Sequence, residues 1–208
     1  MKARKAIFAG LVSAAAIGLS GCVSLGVEVP ESLLTLTPTT TAPVGASAQA
    51  GGEQMAGAIA VLTPEVPAKL DVLRVPVNVS ETEVAYVPEA FWVEKPARLF
   101  RRVLGESLRA QAGVTLGEAA PLVLDSDDTP LRAGTFLRGT LSELSYDAET
   151  GSVVVRYDAI RSDAKGSAVT RRFEAREDGI GADVEAIGPA LNRAANTVAD
   201  EVAQWMLP

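Results

Sequence analysis

The sequence predicts an α/β fold of the α+β kind: a mixed, largely antiparallel sheet packed by two long amphipathic helices in a single domain. Three observations predict it. Val184, Ile187, Leu191, Ala194, Val198, Val202 and Trp205 recur at steps of three or four, which lays one apolar stripe along a helix. Leu99, Phe100, Val103, Leu104 and Leu108 repeat that spacing in an earlier helix, with Arg98, Arg101, Arg102 and Arg109 mostly off the stripe. Between the two, Leu137, Gly139 and Leu141, then Val153, Val155, Tyr157 and Ala159, then Val169, Phe173 and Ala175 alternate with polar residues, the period of half-buried strands.

At the N-terminus, Lys2, Arg4 and Lys5 precede an apolar run from Ala6 to Leu19 that ends in Leu19-Ser20-Gly21-Cys22. A cationic start, an apolar run and small residues before a cysteine are the parts of an export signal. The run is shorter than the ~20 apolar residues a bilayer-spanning helix needs. Cys22 is the only cysteine, so no intramolecular disulfide can form, and the alternative to modification is a free thiol in an exported chain. The stretch resembles the lipobox of bacterial lipoproteins. That resemblance implies cleavage before Cys22, a thioether to diacylglycerol, and a fatty chain such as palmitate on the new amino terminus. Two chains already anchor a protein stably. The expected organisation is a signal peptide over residues 1–21, a lipidated tether over 22–32 and one domain over 33–208. Val23, which is not Asp, favours the outer membrane by resemblance to the sorting rule of enteric bacteria.

Within the domain, Leu33 to Leu36 reads as a short first strand. Residues 37–57 are rich in Thr, Ala, Gly, Ser and Pro without an apolar period, which predicts a mobile loop. Ala58 to Thr63 reads as a buried strand and Val66 to Asp71 as an extended turn. Leu73, Val75, Val77 and Val79 alternate in the next strand, where Pro76 predicts a sheet edge or a bulge. Glu83 to Val87 returns antiparallel to it. Pro96 suits the first turn of the first helix and Gly113 its C-terminal cap, and Gly105 is read as a point of close packing on the sheet. Residues 117–131 read as an acidic loop. In the meander, Leu144 and Tyr146 take the opposite parity from Leu141, which predicts a β-bulge near Ser142-Glu143. Asp183 is the candidate N-cap of the last helix, and Pro189 either kinks that helix or marks its true first turn. Trp205 is read as covering the edge of the core.

The chain has 19 Lys and Arg against 26 Asp and Glu, and no His. Cleavage before Cys22 leaves 16 against 26, a net charge near −10. Such a surface repels phosphate backbones and anionic headgroups, so nucleic acid is excluded as a partner and membrane attachment falls to the lipid. Without His or a usable thiol, the residues most used for transition-metal sites and nucleophilic triads are missing. No Gly-rich loop followed by Lys and Ser/Thr is present to bind nucleotide. No cofactor is expected.

The order of elements, the Pro67-x-x-Leu70-Asp71 turn and the Trp92-Val93-Glu94-Lys95-Pro96 entry into the first helix resemble the ABC-type transport auxiliary lipoprotein component family over roughly Leu33 to Met206. Leu34 departs from the aromatic residue usual in the first strand, and the 37–57 loop is long for the family. The resemblance implies a lipid-anchored, periplasm-facing domain on the outer membrane. It would serve a lipid transport system built from a mammalian-cell-entry (MCE) domain protein, a permease and an ATPase, all separate chains. It allows self-association as a ring.

Candidate partner-docking residues are Trp92 and Phe91, with simple core packing the favoured role for Trp92. Carboxylate chemistry is the one enzymatic class the composition leaves open. Glu94, Glu106, Glu143, Asp147, Asp158 and Glu174 are its candidates, although no spacing fixes a pair. Asp125, Asp127 and Asp128 invite a calcium reading, but the Gly and distal Glu of an EF-hand loop are missing and a solvated loop is favoured. The functional expectation is therefore a non-enzymatic transport accessory. The alternatives are a structural envelope lipoprotein bridging to peptidoglycan or an assembly machine, and a carboxylate-based hydrolase.

Overall fold

The computed structural model describes residues 32–46, 48, 56–125 and 133–207; Cys22, Asp127 and Asp128 lie outside them. In chain order come β1 (Ile59–Val61), a 3-10 turn at Ala68–Leu70, β2 (Arg74–Asn78), β3 (Val84–Phe91) and α1 (Pro96–Leu116). A second 3-10 turn at Gly117–Ala119, β4 (Val123–Leu124), β5 (Thr135–Asp147), β6 (Ser152–Asp163), β7 (Ala168–Asp178) and α2 (Val184–Met206) complete the single domain. The α/β expectation holds.

β5 is the axis of the seven-stranded sheet. Along one edge it pairs antiparallel with β6 over its whole length, and β6 pairs with β7. Its other edge is shared. β1 runs parallel to its first residues (Ile59 opposite Thr135) and β2 to its last (Val77 opposite Tyr146). Glu65 fills the gap, since its N–H donates to Gly139 O and its carbonyl accepts from Leu141 N, both at 2.9 Å, so the edge keeps its hydrogen bonds. β4 extends the sheet beyond β1 and β3 beyond β2.

The β5 register shifts between Leu141 and Glu143, as the parity change predicts. One inserted residue puts Leu144 and Tyr146 on the face that Leu137 and Leu141 already bury. Gly139 is obligatory: at φ 155° a Cβ would lie 2.1 Å from the Asp158 carbonyl oxygen. The helices cover this face. Leu99, Phe100, Val103, Leu104 and Leu108 of α1, and Ile187, Leu191, Val198 and Val202 of α2, are fully buried in the same core. Phe100 meets Tyr157 of β6 edge to face at 5.3 Å. Trp205 closes the core edge, 5.7 Å from Phe173 and beneath the Arg161 guanidinium.

Of the two expectations for Pro76, a sheet edge or a bulge, the bulge holds, and β2 is an interior strand; other local expectations are corrected. A bulge between Arg74 and Pro76 absorbs the proline on the β3 side, and pairing with β5 begins only at Val77, so the missing N–H breaks no ladder. α1 continues through Gly113 to a cap at Gly117, whose φ of 55° suits glycine and whose N–H reaches Gly113 O. Arg101 is buried and donates to Thr63 Oγ1 at 2.8 Å. Pro189 lies inside α2, which begins at Val184 with Asp183 accepting from Ala186 N at 2.8 Å. The expected loop after α1 contains β4.

The first strand shrinks to one parallel bridge between Leu34 and Trp92. The chain then crosses α2 as a strap. Leu34 packs where a Cβ on Gly188 would come within 2.8 Å of its Cδ2. One and two turns further along α2, Asn192 accepts from Thr37 N at 2.7 Å and Asn196 from Thr39 N at 2.8 Å. The start of the expected mobile loop is thus pinned by amide side chains on one helix face.

Candidate functional site

Three places in the fold bear on function: the corner at Trp92, the paired carboxylates, and an apolar cavity at the far end of α1. At the corner, backbone hydrogen bonds join three segments. Trp92 N donates to Leu73 O at 2.8 Å, Leu34 N to Phe91 O at 2.7 Å and Val93 N to Leu34 O at 2.8 Å. Alternation along the strand turns Trp92 inward, where it is 1% exposed. Its ring is core and offers a partner no surface, in line with its packing role; the docking expectation gives way at this residue because the indole is enclosed. Its Nε1 has no hydrogen-bond partner among the described residues, a cost of about 1–3 kcal/mol that its large buried area outweighs. Phe91 is half-buried, and Arg74 lies 5.0 Å from the neighbouring Tyr86 ring and 5.9 Å from Phe91. Leu33, Leu73 and Val93, each about half-exposed, flank the buried indole. Residues 32 and 33 bring the chain into the domain at this apolar corner.

All six candidate carboxylates are ion-paired. Glu94 pairs with Arg98 at 3.4 Å and with Arg102, Glu106 with Arg109 at 2.7 Å and Glu143 with Lys69 at 2.7 Å. Asp147 pairs with Arg176 at 3.5 Å, Asp158 with Arg172 at 2.6 Å and Glu174 with Arg156 at 2.5 Å. Hydrogen bonding from Arg172 holds the Asp158 carboxyl below its ordinary range. Burial pushes Glu143 up, but hydrogen bonds from Lys69 and Ser145 pull it down further. Both therefore stay ionised at neutral pH.

Asp125 is no solvated loop residue. Its two oxygens meet the Arg109 guanidinium at 2.5 and 3.2 Å, and a Cβ on Gly105 would lie 2.5 Å from Asp125 Oδ2. The glycine is what lets α1 pass so close to the residue following β4, as its packing role predicts.

A half-open cavity of about 560 Å³ lies beside the last turns of α1. Ala42 and Pro43 of the strap face Ala110, Gly113 and Val114 of α1, with Leu122 ahead of β4 completing the wall; Arg109 and Glu118 are among its few polar groups. Sequence reading missed it because three segments far apart in the chain contribute small apolar residues with no motif among them. No helix among the described residues is long and apolar enough to cross a membrane.

The family described as ABC-type transport auxiliary lipoprotein component matches residues 35–203. Among solved structures, a protein from Xanthomonas campestris is similar with a TM-score of 0.65 at 16% identity, over 85% of this chain and 94% of that one. The crystal structure of an uncharacterized protein gives a TM-score of 0.61 at 16% identity, over 73% and 93%. At that identity the likeness is one of fold. No curated protein matches the chain.

Proposed function

The chain belongs to the family of ABC-type transport auxiliary lipoprotein components, and on that premise we propose that it is the outer-membrane, periplasm-facing, non-enzymatic accessory of an MCE-type lipid transport system. Cys22 carries the anchor. The observation that supports this reading most is the family match over residues 35–203, which takes in every strand and nearly all of both helices. The apolar corner at Leu33, Leu73 and Val93 lies where the tether enters, so it is the part of the domain that faces the anchoring membrane, with Phe91 beside it as the docking aromatic. The engagement of every candidate carboxylate favours an accessory over a hydrolase. An MCE-domain protein is the direct partner, with a permease and an ATPase supplying the energy. Self-association into a ring would cap the outer-membrane end of the conduit; among the described residues β7 pairs only with β6 and β3 only with β2, and either edge could take a second copy.

Two measurements on one preparation test the reading. Mass spectrometry of the membrane-extracted protein should find a chain beginning at Cys22 with added diacylglycerol and acyl mass, and the same protein should retain the MCE-domain protein in a pull-down. A mature chain without lipid mass, or no retention at tens of micromolar, would count against it; capture of a peptidoglycan or assembly component instead would favour the structural alternative.

A further inference from the structure

Resting on the proposed function's reading of Cys22 as the anchor, we propose that the outer face of β3 and of the chain's entry into the domain is a membrane-contact surface. Leu33, Val84, Tyr86, Phe91 and Val93 lie in the headgroup region of the bilayer that holds Cys22, and Arg74 takes a lipid phosphate. Backbone register puts these side chains on one face. With Trp92 turned into the core, alternation turns Phe91 and Val93 outward, and the parallel bridge from Leu34 to Trp92 sets Leu33 outward beside them. Arg74 pairs with Phe91, Pro76 with Tyr86 and Asn78 with Val84, so Tyr86 and Val84 continue the row. Leu33, Val84 and Val93 are 50%, 45% and 52% exposed, and the two rings are half-buried.

A backbone irregularity centres the row on one cation. Two steps along β2, from Arg74 to Pro76, face five along β3, from Phe91 to Tyr86. The excess forms a bulge in which Glu89 has a φ of 58°, in the left-handed region that few non-glycine residues enter. Both rings thereby meet the same guanidinium, with Arg74 Cζ 5.0 Å from the Tyr86 centroid and 5.9 Å from that of Phe91. The neighbouring cations are engaged, Lys95 by Asp71 and both Arg98 and Arg102 by Glu94. Arg74 makes no ion pair among the described residues, which leaves its forked donors for a phosphate. Apolar and aromatic side chains around an arginine suit the water–lipid boundary, where rings sit at headgroup level.

The length of chain ahead of the domain, and the place where it ends, select the bilayer as the occupant. Leu33 belongs to the row and is eleven positions from Cys22, a reach of at most ~40 Å. An anchored chain therefore holds this face beside its own membrane at high effective concentration, so that weak contacts suffice. Val114, near the far end of α1, lies ~27 Å beyond Pro96 at the ~1.5 Å rise per residue of a helix. A domain of net charge near −10 is not drawn to a bilayer as a whole, and contact falls to this one face.

The test uses the mature, acylated protein, inserted by its own anchor into vesicles of phosphatidylethanolamine with a minor share of phosphatidylglycerol. Cys22 is the only cysteine and its sulfur is blocked by the lipid, so Val93→Cys and Val114→Cys each take a single environment-sensitive fluorophore. Both positions are exposed, Val114 at 85%, and tolerate the label. Spin-labelled phospholipid should quench the fluorophore at residue 93 about fivefold or more over that at residue 114, with a blue shift at residue 93 alone. Arg74→Glu and Leu33→Asp, both at exposed positions, should each remove most of that quenching without lowering the melting temperature. Equal quenching at the two positions, or full quenching in both charge variants, overturns the inference. A concentration-dependent blue shift at residue 93 in Cys22→Ser protein without vesicles would assign the face to a second copy, and a shift that needs added MCE-domain protein would assign it to that partner; either overturns membrane contact. Lipid mass on Cys22 with MCE-domain capture intact but no quenching at residue 93 would overturn this inference alone. Quenching at residue 93 with lost capture would overturn the proposed function alone.

Discussion

The Lys69 ammonium donates to both oxygens of Glu143, at 2.7 and 2.9 Å, and so ties the 3-10 turn ahead of β2 to the bulge of β5. Ser145 Oγ donates to the same carboxylate at 2.7 Å. Both side chains of the ion pair are about four-fifths buried, 22% and 17% exposed. Burial raises the Glu143 pKa, and the hydrogen bonds from Lys69 and Ser145 lower it by more, leaving it below the ordinary 4.5. A carboxylate depressed in the folded state contributes stability that is fully present above its unfolded pKa and is lost as pH falls through the folded one.

Stability should therefore hold from neutrality to about pH 5 and decline below it. At pH 7, Glu143→Gln should cost about 1–3 kcal/mol, because it leaves a mostly buried ammonium without its counter-ion. The variant should also lose less stability than wild type between pH 7 and pH 3.5; some acid sensitivity remains through Asp158, which Arg172 also holds low. Urea unfolding at the two pH values measures both effects, and an unchanged midpoint at pH 7 would mean that the pair contributes nothing.

Gly105 and Gly113 lie on the same helix but should respond in opposite directions to the same substitution. Glycine inside a helix costs about 1 kcal/mol relative to alanine. At Gly113 a methyl group meets open space, so Gly113→Ala should recover most of that. At Gly105 it would meet Asp125 Oδ2 at 2.5 Å and Cβ at 3.0 Å, and Arg109 holds that carboxylate in place. Gly105→Ala should destabilise by about 1–3 kcal/mol, the usual cost of overpacking. Thermal melting of the two variants side by side decides the matter, and a gain at Gly105 would show that Asp125 yields freely.

Leu191 and Val198 are fully buried on the stripe of α2. Leu191→Asp or Val198→Asp should abolish the cooperative transition, since an unpaired buried carboxylate costs several kcal/mol against a total stability of ~5–15. A normal melting curve would place that stripe against solvent.

Features written in local pattern were legible in the sequence. The two helical stripes, the Asp183 cap and the bulge at Ser142-Glu143 each depend on residues a few positions apart, where the period itself carries the signal. Features made by distant partners were not. β4 is two residues long and becomes a strand by pairing with β1. Pro76 leaves edge and bulge as alternatives until β5 is seen beside β2. Gly113 reads as the cap of α1, and only the course of the helix carries it on to Gly117. Lys69 and Glu143 are 74 positions apart, and nothing near either one marks the pair. At the corner, core packing is the role the sequence favours for Trp92, and alternation along the strand turns that ring inward to 1% exposure.

Deleting the gene alone, the MCE-domain gene alone, and both together tests most directly the claim that this lipoprotein works as part of an MCE-type lipid conduit. Outer-membrane permeability to a large hydrophobic antibiotic is the readout. The account predicts the same defect in all three strains, because each deletion disables one pathway. A double deletion clearly more permeable than either single one would contradict it.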